Sequence, residues 1–313
     1  MSRVLVTGAA GFIGSHTVER LITEHHQVVG VDNFRTGRKA NLKIASAHPN
    51  FRFFEGDILT PQWLLALIRD CEIDAIIHLA ALVSVPESIA QPELNRRLNL
   101  DATRTIIDAA SRVRSVRRIV FASSAAVYGD NRHLPLDEDA ECVPLSPYGE
   151  AKLASERLIA ECSRNRPDAA AISFRYFNVY GPRQDPSSSY SGVISRFADA
   201  LQRRQQPMIH GDGEQTRDFI AVADVARANV LAATTPNASS GTFNLCTGRS
   251  TSLNLLLATM AAELKSSVQA VYGAGRAGDI RHSLGNPARA QRMLGFKTEH
   301  DLASGLRALF REK

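Results

Sequence analysis

Apolar runs of two kinds alternate along the first half of the chain. Arg3-Val-Leu-Val-Thr7 is short and rich in β-branched residues, the pattern of a buried strand. A glycine-punctuated turn follows at 8–14, and apolar residues then recur at helical spacing over about 13–24. The same reading predicts strands at 27–31, 51–55, 74–78, 118–123 and 169–174. Helices are expected over about 62–69, 93–111 and 148–162. Strand and helix units alternating in this way predict an α/β fold, a Rossmann-type doubly wound parallel sheet with helices on both faces. From Tyr176 the pattern changes to glycine- and proline-containing loops with shorter elements, which predicts a smaller C-terminal α/β domain. The expected boundaries are 1–175 for the first unit and 176–313 for the second, with 219–233 open to returning to the first sheet.

Bulk properties narrow this picture. With 313 residues, 44% hydrophobic and 22% charged, the chain has the composition of an ordinary soluble globular protein. No apolar run approaches the ~18 residues of a membrane span, and the first residues enter a strand directly, so the expected address is cytoplasmic. Cys71, Cys142, Cys162 and Cys246 lack metal or redox spacing and read as reduced thiols, and the nine histidines form no metal pair, so no metal is expected. The net charge of +5 comes from dispersed basic residues without an aromatic-interleaved patch. That suits a small anionic substrate and speaks against nucleic acid.

The turn after the first strand is Gly8-Ala-Ala-Gly11-Phe-Ile-Gly14, spaced G-x-x-G-x-x-G. Glycines there let the backbone approach a pyrophosphate, whose charge suits the amides that open the next helix. The second strand ends in Asp32, a carboxylate able to bind ribose hydroxyls and to repel a 2′-phosphate, which favours NAD over NADP. Arg35 and Arg38 lie close by and pull the other way.

Tyr148-Gly-Glu-Ala-Lys152 places a phenol and an ammonium one turn apart on a helix face, and Ser123-Ser124 precedes it. A phenol of pKa about 10 becomes a useful base when a neighbouring cation and hydroxyl favour the phenolate. The glycine loop, Asp32, Asp57, Ala80-Ala81 and Ser124 all fall at the carboxyl ends of predicted strands, where ligands bind in such sheets. The chemistry indicated is proton removal from an alcohol coupled to hydride transfer.

With these residues in place the chain resembles the extended short-chain dehydrogenase/reductase superfamily, and within it the UDP-hexose 4-epimerases, from Arg3 to about Leu294. The resembling segments include Gly56-Asp57-Ile58, His78-Leu-Ala-Ala81, Ser123-Ser-Ala-Ala-Val-Tyr-Gly129, Ser146-Pro-Tyr-Gly-Glu-Ala-Lys152 and Arg175-Tyr-Phe-Asn-Val-Tyr-Gly-Pro-Arg-Gln184. The resemblance implies that Ser124, Tyr148 and Lys152 are catalytic. It implies NAD contacts from Gly8, Gly11, Phe12, Ile13, Asp32, Asn33, Gly37, Asp57, Ile58, Leu79, Ala80, Ala81 and Asn99, as well as from Tyr148 and Lys152. Around a UDP-sugar it places Ser84, Ser124, Tyr148, Asn178, Val193, His210, Arg217, Arg276, Asp279 and Ser283. Arg217 and Arg276 would clamp the diphosphate, as guanidinium geometry allows, and Asp279 would accept from the uridine ribose.

Related dehydratases and decarboxylases carry an acid just before Val-Tyr-Gly, where this chain has Ala125 and Ala126. The resemblance therefore points to epimerisation, hydride out and hydride back. Ser283 stands where epimerases restricted to glucose and galactose carry a large aromatic, which implies room for a 2-N-acetyl group. A homodimer through the helices near 93–111 and 148–162 is also implied. A nucleotide-sugar reductase or dehydratase is the first alternative, and a dinucleotide-sensing protein without catalysis is the second.

Overall fold

The computed structural model describes residues 1–184, 192–236, 238–275 and 280–311. Seven strands build the central sheet: β1 (Arg3–Thr7), β2 (Gln27–Asp32), β3 (Phe51–Glu55), β4 (Ala75–His78), β5 (Arg118–Ser124), β6 (Ala170–Tyr176) and β7 (Gly241–Leu245). Their spatial order is β7-β6-β5-β4-β1-β2-β3, and every pairing is parallel. The order reverses between β1 and β4, which leaves a crevice beyond their carboxyl ends. In register, Thr7 faces Val31 of β2 on one side and His78 of β4 on the other.

Strand periodicity decides what each face buries. Successive side chains point to opposite faces, so Val4 and Val6 join one apolar cluster and Leu5 the other. All three are fully buried, and each contributes about 1.5–3 kcal/mol of transfer free energy. The first face is covered by helices Phe12–Thr23 and Val222–Thr234, through Val18, Leu21, Val225 and Ala228. The second is covered by helices Pro61–Asp70, Ala102–Ser111 and Pro147–Asn165, through Leu64, Ile106 and Ile159. Thus a helix and a strand from beyond residue 176 complete the nucleotide-binding sheet. Tyr176 Oη donates to Asn229 Oδ1 at 2.7 Å, a polar tie between β6 and that returning helix.

The smaller unit has its own core. Ile194, Phe197 and Leu201 of helix Val193–Gln202 pack with Leu256, Leu257 and Met260 of helix Leu253–Glu263, and with Leu306 of helix Leu302–Arg311. Short strand pairs join its loops: Asn178–Tyr180 beside Phe219–Ala221, Thr216–Arg217 beside Thr251–Ser252, and Met208–His210 beside Val271–Gly273. No helix among the described residues is long and apolar enough to cross a membrane.

Two elements near the site differ from the sequence reading. Helix Val85–Ala90 starts at Ser84, whose Oγ accepts from the Glu87 amide at 2.9 Å, with Pro86 in its first turn. The helix expected over 93–111 is broken into Pro92–Arg96, a π turn at Arg97–Asp101, and Ala102–Ser111. Hydrophobic spacing does not distinguish a π turn from an α turn.

Candidate active site

The glycine loop turns directly out of β1. Gly8 has φ +70°, and a Cβ there would lie 2.8 Å from the Ala80 amide nitrogen. A Cβ on Gly14 would lie 2.0 Å from the Gly8 carbonyl oxygen, so strand, loop and helix approach as closely as backbone can. Gly11 is the N-cap of helix Phe12–Thr23 and supplies no side chain to its first amides, which leaves them available to an anion. Phe12 and Ile13, half-buried, form the first turn. The cradle fits the pyrophosphate of a dinucleotide.

Asp32, at the end of β2, is 8% exposed. Its carboxylate accepts from the Ala10 amide at 2.9 Å and the Phe34 amide at 2.8 Å. Burial pushes its carboxyl above the usual range, and these amide bonds oppose that rise. A Cβ on Gly37 would come within 2.8 Å of the carboxylate, so glycine is what lets the loop close on Asp32. Asn33 Oδ1 accepts from the Arg35 amide at 3.1 Å, and Arg35 itself pairs with Glu87. Asp57 Oδ1 caps its own turn by accepting from the Leu59 amide at 2.9 Å, with Ile58 buried beside it. Across the crevice the Leu79 amide donates to the Thr7 carbonyl at 3.2 Å, and the Ala80 amide to Thr7 Oγ1 at 3.3 Å. Ala81 follows, half-buried.

Ser124 ends β5, where its Oγ accepts from the Ala126 amide at 3.1 Å and opens the 3-10 turn Ala125–Tyr128. Tyr148 and Lys152 sit in the first turns of helix Pro147–Asn165, which Ser146 caps and which carries Pro147 at its start. The Tyr148 amide donates to Ser88 Oγ at 3.2 Å, so helix Val85–Ala90 fixes the base of the tyrosine. Tyr148 is 9% and Lys152 3% exposed.

Electrostatics here differ from the simple expectation of a lysine acidifying its neighbour. Burial pushes the Tyr148 phenol up, and the hydrogen bond with Ser124 is what opposes it. Lys152 Nζ donates to the Ala122 carbonyl at 2.8 Å, 4.9 Å from the Phe121 ring centroid and 5.8 Å from that of Tyr148. Desolvation pulls Lys152 down to about 7, while Glu156 one turn further along acts to raise it.

Buried polar residues brace this pair. Asn99, in the π turn, donates to the Leu82 carbonyl at 3.0 Å and accepts from the Leu82 amide at 3.1 Å, clamping the segment after Ala81. Thr103 Oγ1 donates to the Asn99 carbonyl at 2.7 Å and so turns a lone pair toward His78 Nε2 at 3.3 Å. His78 is therefore the Nε2–H tautomer, and its Nδ1 accepts from Thr7 Oγ1 at 2.8 Å. Burial, reinforced by Lys152, lowers His78 to about 3, so it stays neutral. On the other side of Lys152, Glu156 accepts from Ser123 Oγ at 2.5 Å, and its second oxygen accepts from Arg175 Nη2 at 2.7 Å. Both members of this ion pair are 6% exposed, and the guanidinium also lies 4.7 Å from the Tyr128 ring centroid.

In the smaller unit, Asn178, Val193, His210 and Arg217 converge on one cavity of ≈ 180 Å³. Arg196, Met208 and Gln215 line it too, and the sequence reading had not selected them. For Arg196 the available signal was a cation one turn after Val193 on an amphipathic helix. Arg217 Nη1 donates to the Thr216 carbonyl at 2.8 Å. Next to it Asp218, fully buried, accepts from the Thr247 amide and hydroxyl, the Gly248 amide and the Gly285 amide. Ser283 is half-buried and its amide donates to the Thr216 carbonyl at 3.1 Å. Ser84 is 3% exposed and is engaged in capping. Arg276 and Asp279 lie outside the described residues.

A glycine cradle at the switch point of a parallel sheet, a buried carboxylate at the end of β2, and a serine beside a buried Tyr–Lys pair are the parts of a dinucleotide-dependent enzyme acting at an alcohol carbon. The chain belongs to the NAD dependent epimerase/dehydratase family, which it matches over residues 4–246. It is 37% identical to the UDP-glucose 4-epimerase of Mycolicibacterium smegmatis over 305 residues, covering 97% of this chain and 96% of the relative. Among solved structures it superposes with a TM-score of 0.93 on the UDP-N-acetylglucosamine 4-epimerase of Methanobrevibacter ruminantium in complex with UDP-N-acetylmuramic acid. That enzyme is 36% identical, with 99% of this chain and 97% of that one covered. A UDP-glucose-4-epimerase from Stenotrophomonas maltophila, with bound NAD and formylated UDP-arabinopyranose, also gives 0.93. It is 31% identical over the same shares of both chains.

Proposed function

We propose that this protein inverts C4 of UDP-hexoses through a transient 4-keto sugar, and that it accepts UDP-N-acetylglucosamine and its 4-epimer alongside UDP-glucose and UDP-galactose. The observation that carries the reading is that Ser124, half-buried at the carboxyl end of β5, shares a hydrogen bond with the buried Tyr148, which lies one helical turn before the buried Lys152. The relatives are epimerases of UDP-sugars, and Ala125 and Ala126 offer no acid for an elimination.

NAD, held by the glycine loop and Asp32, supplies the chemistry of taking a hydride from the sugar carbon and giving it back. The chain's own groups manage the proton. Tyr148 Oη takes it from the 4-hydroxyl, directly or through Ser124, and returns it after inversion. Ser124 donates a hydrogen bond to the phenolate or to the sugar oxygen. Lys152, held by the Ala122 carbonyl, supplies positive charge behind the ring. Arg217 and Asn178 anchor the diphosphate while the hexose presents its second face, with Arg276 and Asp279 as further ligands. Ser283 leaves room for the N-acetyl group, near Ser84. A homodimer through the helices near 93–111 and 148–162 is part of this proposal, and sedimentation tests the dimeric state.

Proton NMR of the purified protein with UDP-N-acetylglucosamine and then UDP-glucose, with no cofactor added, tests the reading. Both 4-epimers should appear. Conversion of UDP-glucose alone would discard the role of Ser283, and conversion of neither, even with NAD supplied, would overturn the proposal.

A further inference from the structure

An ion pair joins the two rims of the cofactor crevice. Arg35 follows β2 and Glu87 follows β4, and between those strands lies β1 with the glycine cradle at its end. Adjacent strands stand about 4.8 Å apart, so the segments that leave β2 and β4 begin about 10 Å from each other. Arg35 Nη2 nevertheless donates to Glu87 Oε1. At the floor of the crevice each rim meets the cradle by its own short contact. The Ala10 amide donates to Asp32 at 2.9 Å, and Gly8 lies so near Ala80 that a Cβ would meet its amide nitrogen at 2.8 Å. The Arg35–Glu87 pair links the same rims farther along each segment, beyond Asp32 on one side and beyond Ala80 on the other.

Each end of the link is held. The Phe34 amide donates to Asp32 Oδ1 at 2.8 Å and the Arg35 amide to Asn33 Oδ1 at 3.1 Å, so a tied backbone presents the guanidinium. On the other rim, Ser84 caps the helix that carries Glu87, and Ser88 in that helix accepts from the Tyr148 amide at 3.2 Å. Ser84-Val-Pro-Glu87 has the spacing of a capping box, in which the acid turns back to the cap residue. Here the carboxylate turns outward to Arg35. The two side chains are 33% and 14% exposed, a setting in which an ion pair adds little to folding. Its place across the crevice is what distinguishes it.

We propose that Arg35 and Glu87 form a clasp that closes over the bound dinucleotide and slows its release. The pair must open before NAD, seated between the cradle and Asp32, can leave. The inference rests on the fit of the cradle to a dinucleotide, whichever sugar the enzyme takes. Charge alone predicts the opposite behaviour at Glu87. A carboxylate near an anionic dinucleotide repels it, so neutralising that carboxylate would hold NAD longer if no clasp existed. With the clasp the sign reverses, because losing the carboxylate releases Arg35 and opens the mouth.

The test is the rate at which radiolabelled NAD leaves the loaded full-length protein into an excess of unlabelled NAD. Glu87→Gln and Arg35→Gln should each release it about fivefold faster than wild type, the upper end of what a partly exposed ion pair contributes. The double variant should match the single ones, because both changes break the same link. Release from Glu87→Gln at the wild-type rate, or more slowly, would overturn the proposal. So would effects of the two changes that multiply, the mark of independent contacts with NAD. Salt gives a check that needs no variant. Screening weakens a partly exposed pair, so wild-type release should quicken as ionic strength rises, and more steeply than in Glu87→Gln. A wild-type rate indifferent to salt would also overturn the clasp.

Discussion

Replacing Glu156 with glutamine removes one charge from a pair that water does not reach. Arg175 and Glu156 are both 6% exposed, so after Glu156→Gln the guanidinium keeps neutral partners, among them the Glu138 carbonyl at 3.0 Å, the Tyr128 ring and an amide oxygen. Breaking a buried pair from one side costs about 3–5 kcal/mol, and the surviving oxygen places this change near the lower end. At about 2.1 cal/mol/K per residue, unfolding 313 residues carries an entropy near 0.66 kcal/mol/K, so ~3 kcal/mol lowers Tm by about 5 °C. Thermal unfolding of Glu156→Gln, Arg175→Met and the double variant checks this. The double variant should be more stable than the sum of its parts by about 2 kcal/mol, because it leaves no stranded charge. Costs that simply add would refute the reasoning.

The same change reaches the reaction. Glu156 acts to raise Lys152, whose value sits at about 7 through desolvation. Without that carboxylate Lys152 falls further, and the ammonium that faces the Tyr148 ring is lost at lower pH. The alkaline limb of kcat/KM should therefore shift to lower pH in Glu156→Gln.

Further expectations concern other parts of the site. Tyr148→Phe should lower turnover by about 10²–10⁴-fold, the usual contribution of a positioned base, with UDP affinity unchanged by calorimetry. Near-normal turnover would remove it as the proton acceptor. In Gly14→Ala the new methyl would meet the Gly8 carbonyl oxygen at 2.0 Å. That variant should purify without NAD, as read from the absorbance of released nucleotide. Lys152 binds a proton in the unfolded chain up to its ordinary 10.5 but only to about 7 when folded. Between those values the unfolded state holds more protons, so this residue makes stability rise with pH. Lys152→Met should flatten that rise in urea unfolding measured from pH 7 to 10. Asp218→Asn turns an amide toward the donors of Thr247 and Gly248. It should cost about 2 kcal/mol and raise the KM for UDP-sugar by loosening the strand that carries Arg217.

The parts of the fold legible in the sequence are those encoded by neighbours along the chain. The run Val4-Leu5-Val6, the glycines at 8, 11 and 14, and the four-residue spacing of Tyr148 and Lys152 each state their geometry locally. The rest depends on contacts made at long range. Gly241–Leu245 is five residues long, and its place beside β6 follows from pairing with Ile172–Tyr176, some seventy positions earlier. Asn99 was selected, yet the π turn beneath it leaves no mark in hydrophobic spacing. Glu156 and Arg175 look like ordinary charges on a helix and a strand until the fold buries them together.

The returning strand has a consequence for how the protein is made. Until residue 245 has left the ribosome, β6 is an open edge, and the sheet face later covered by Val222–Thr234 is bare. Synthesis at about 5–20 residues per second leaves the 64 residues between those strands unmade for several seconds. Through that interval a nearly finished parallel sheet presents unpaired backbone and apolar surface to its surroundings. The nascent chain is thus at its most aggregation-prone after the whole catalytic Ser–Tyr–Lys group has been translated, and a chaperone that shields β6 would raise the yield of folded enzyme more than one acting on the first hundred residues.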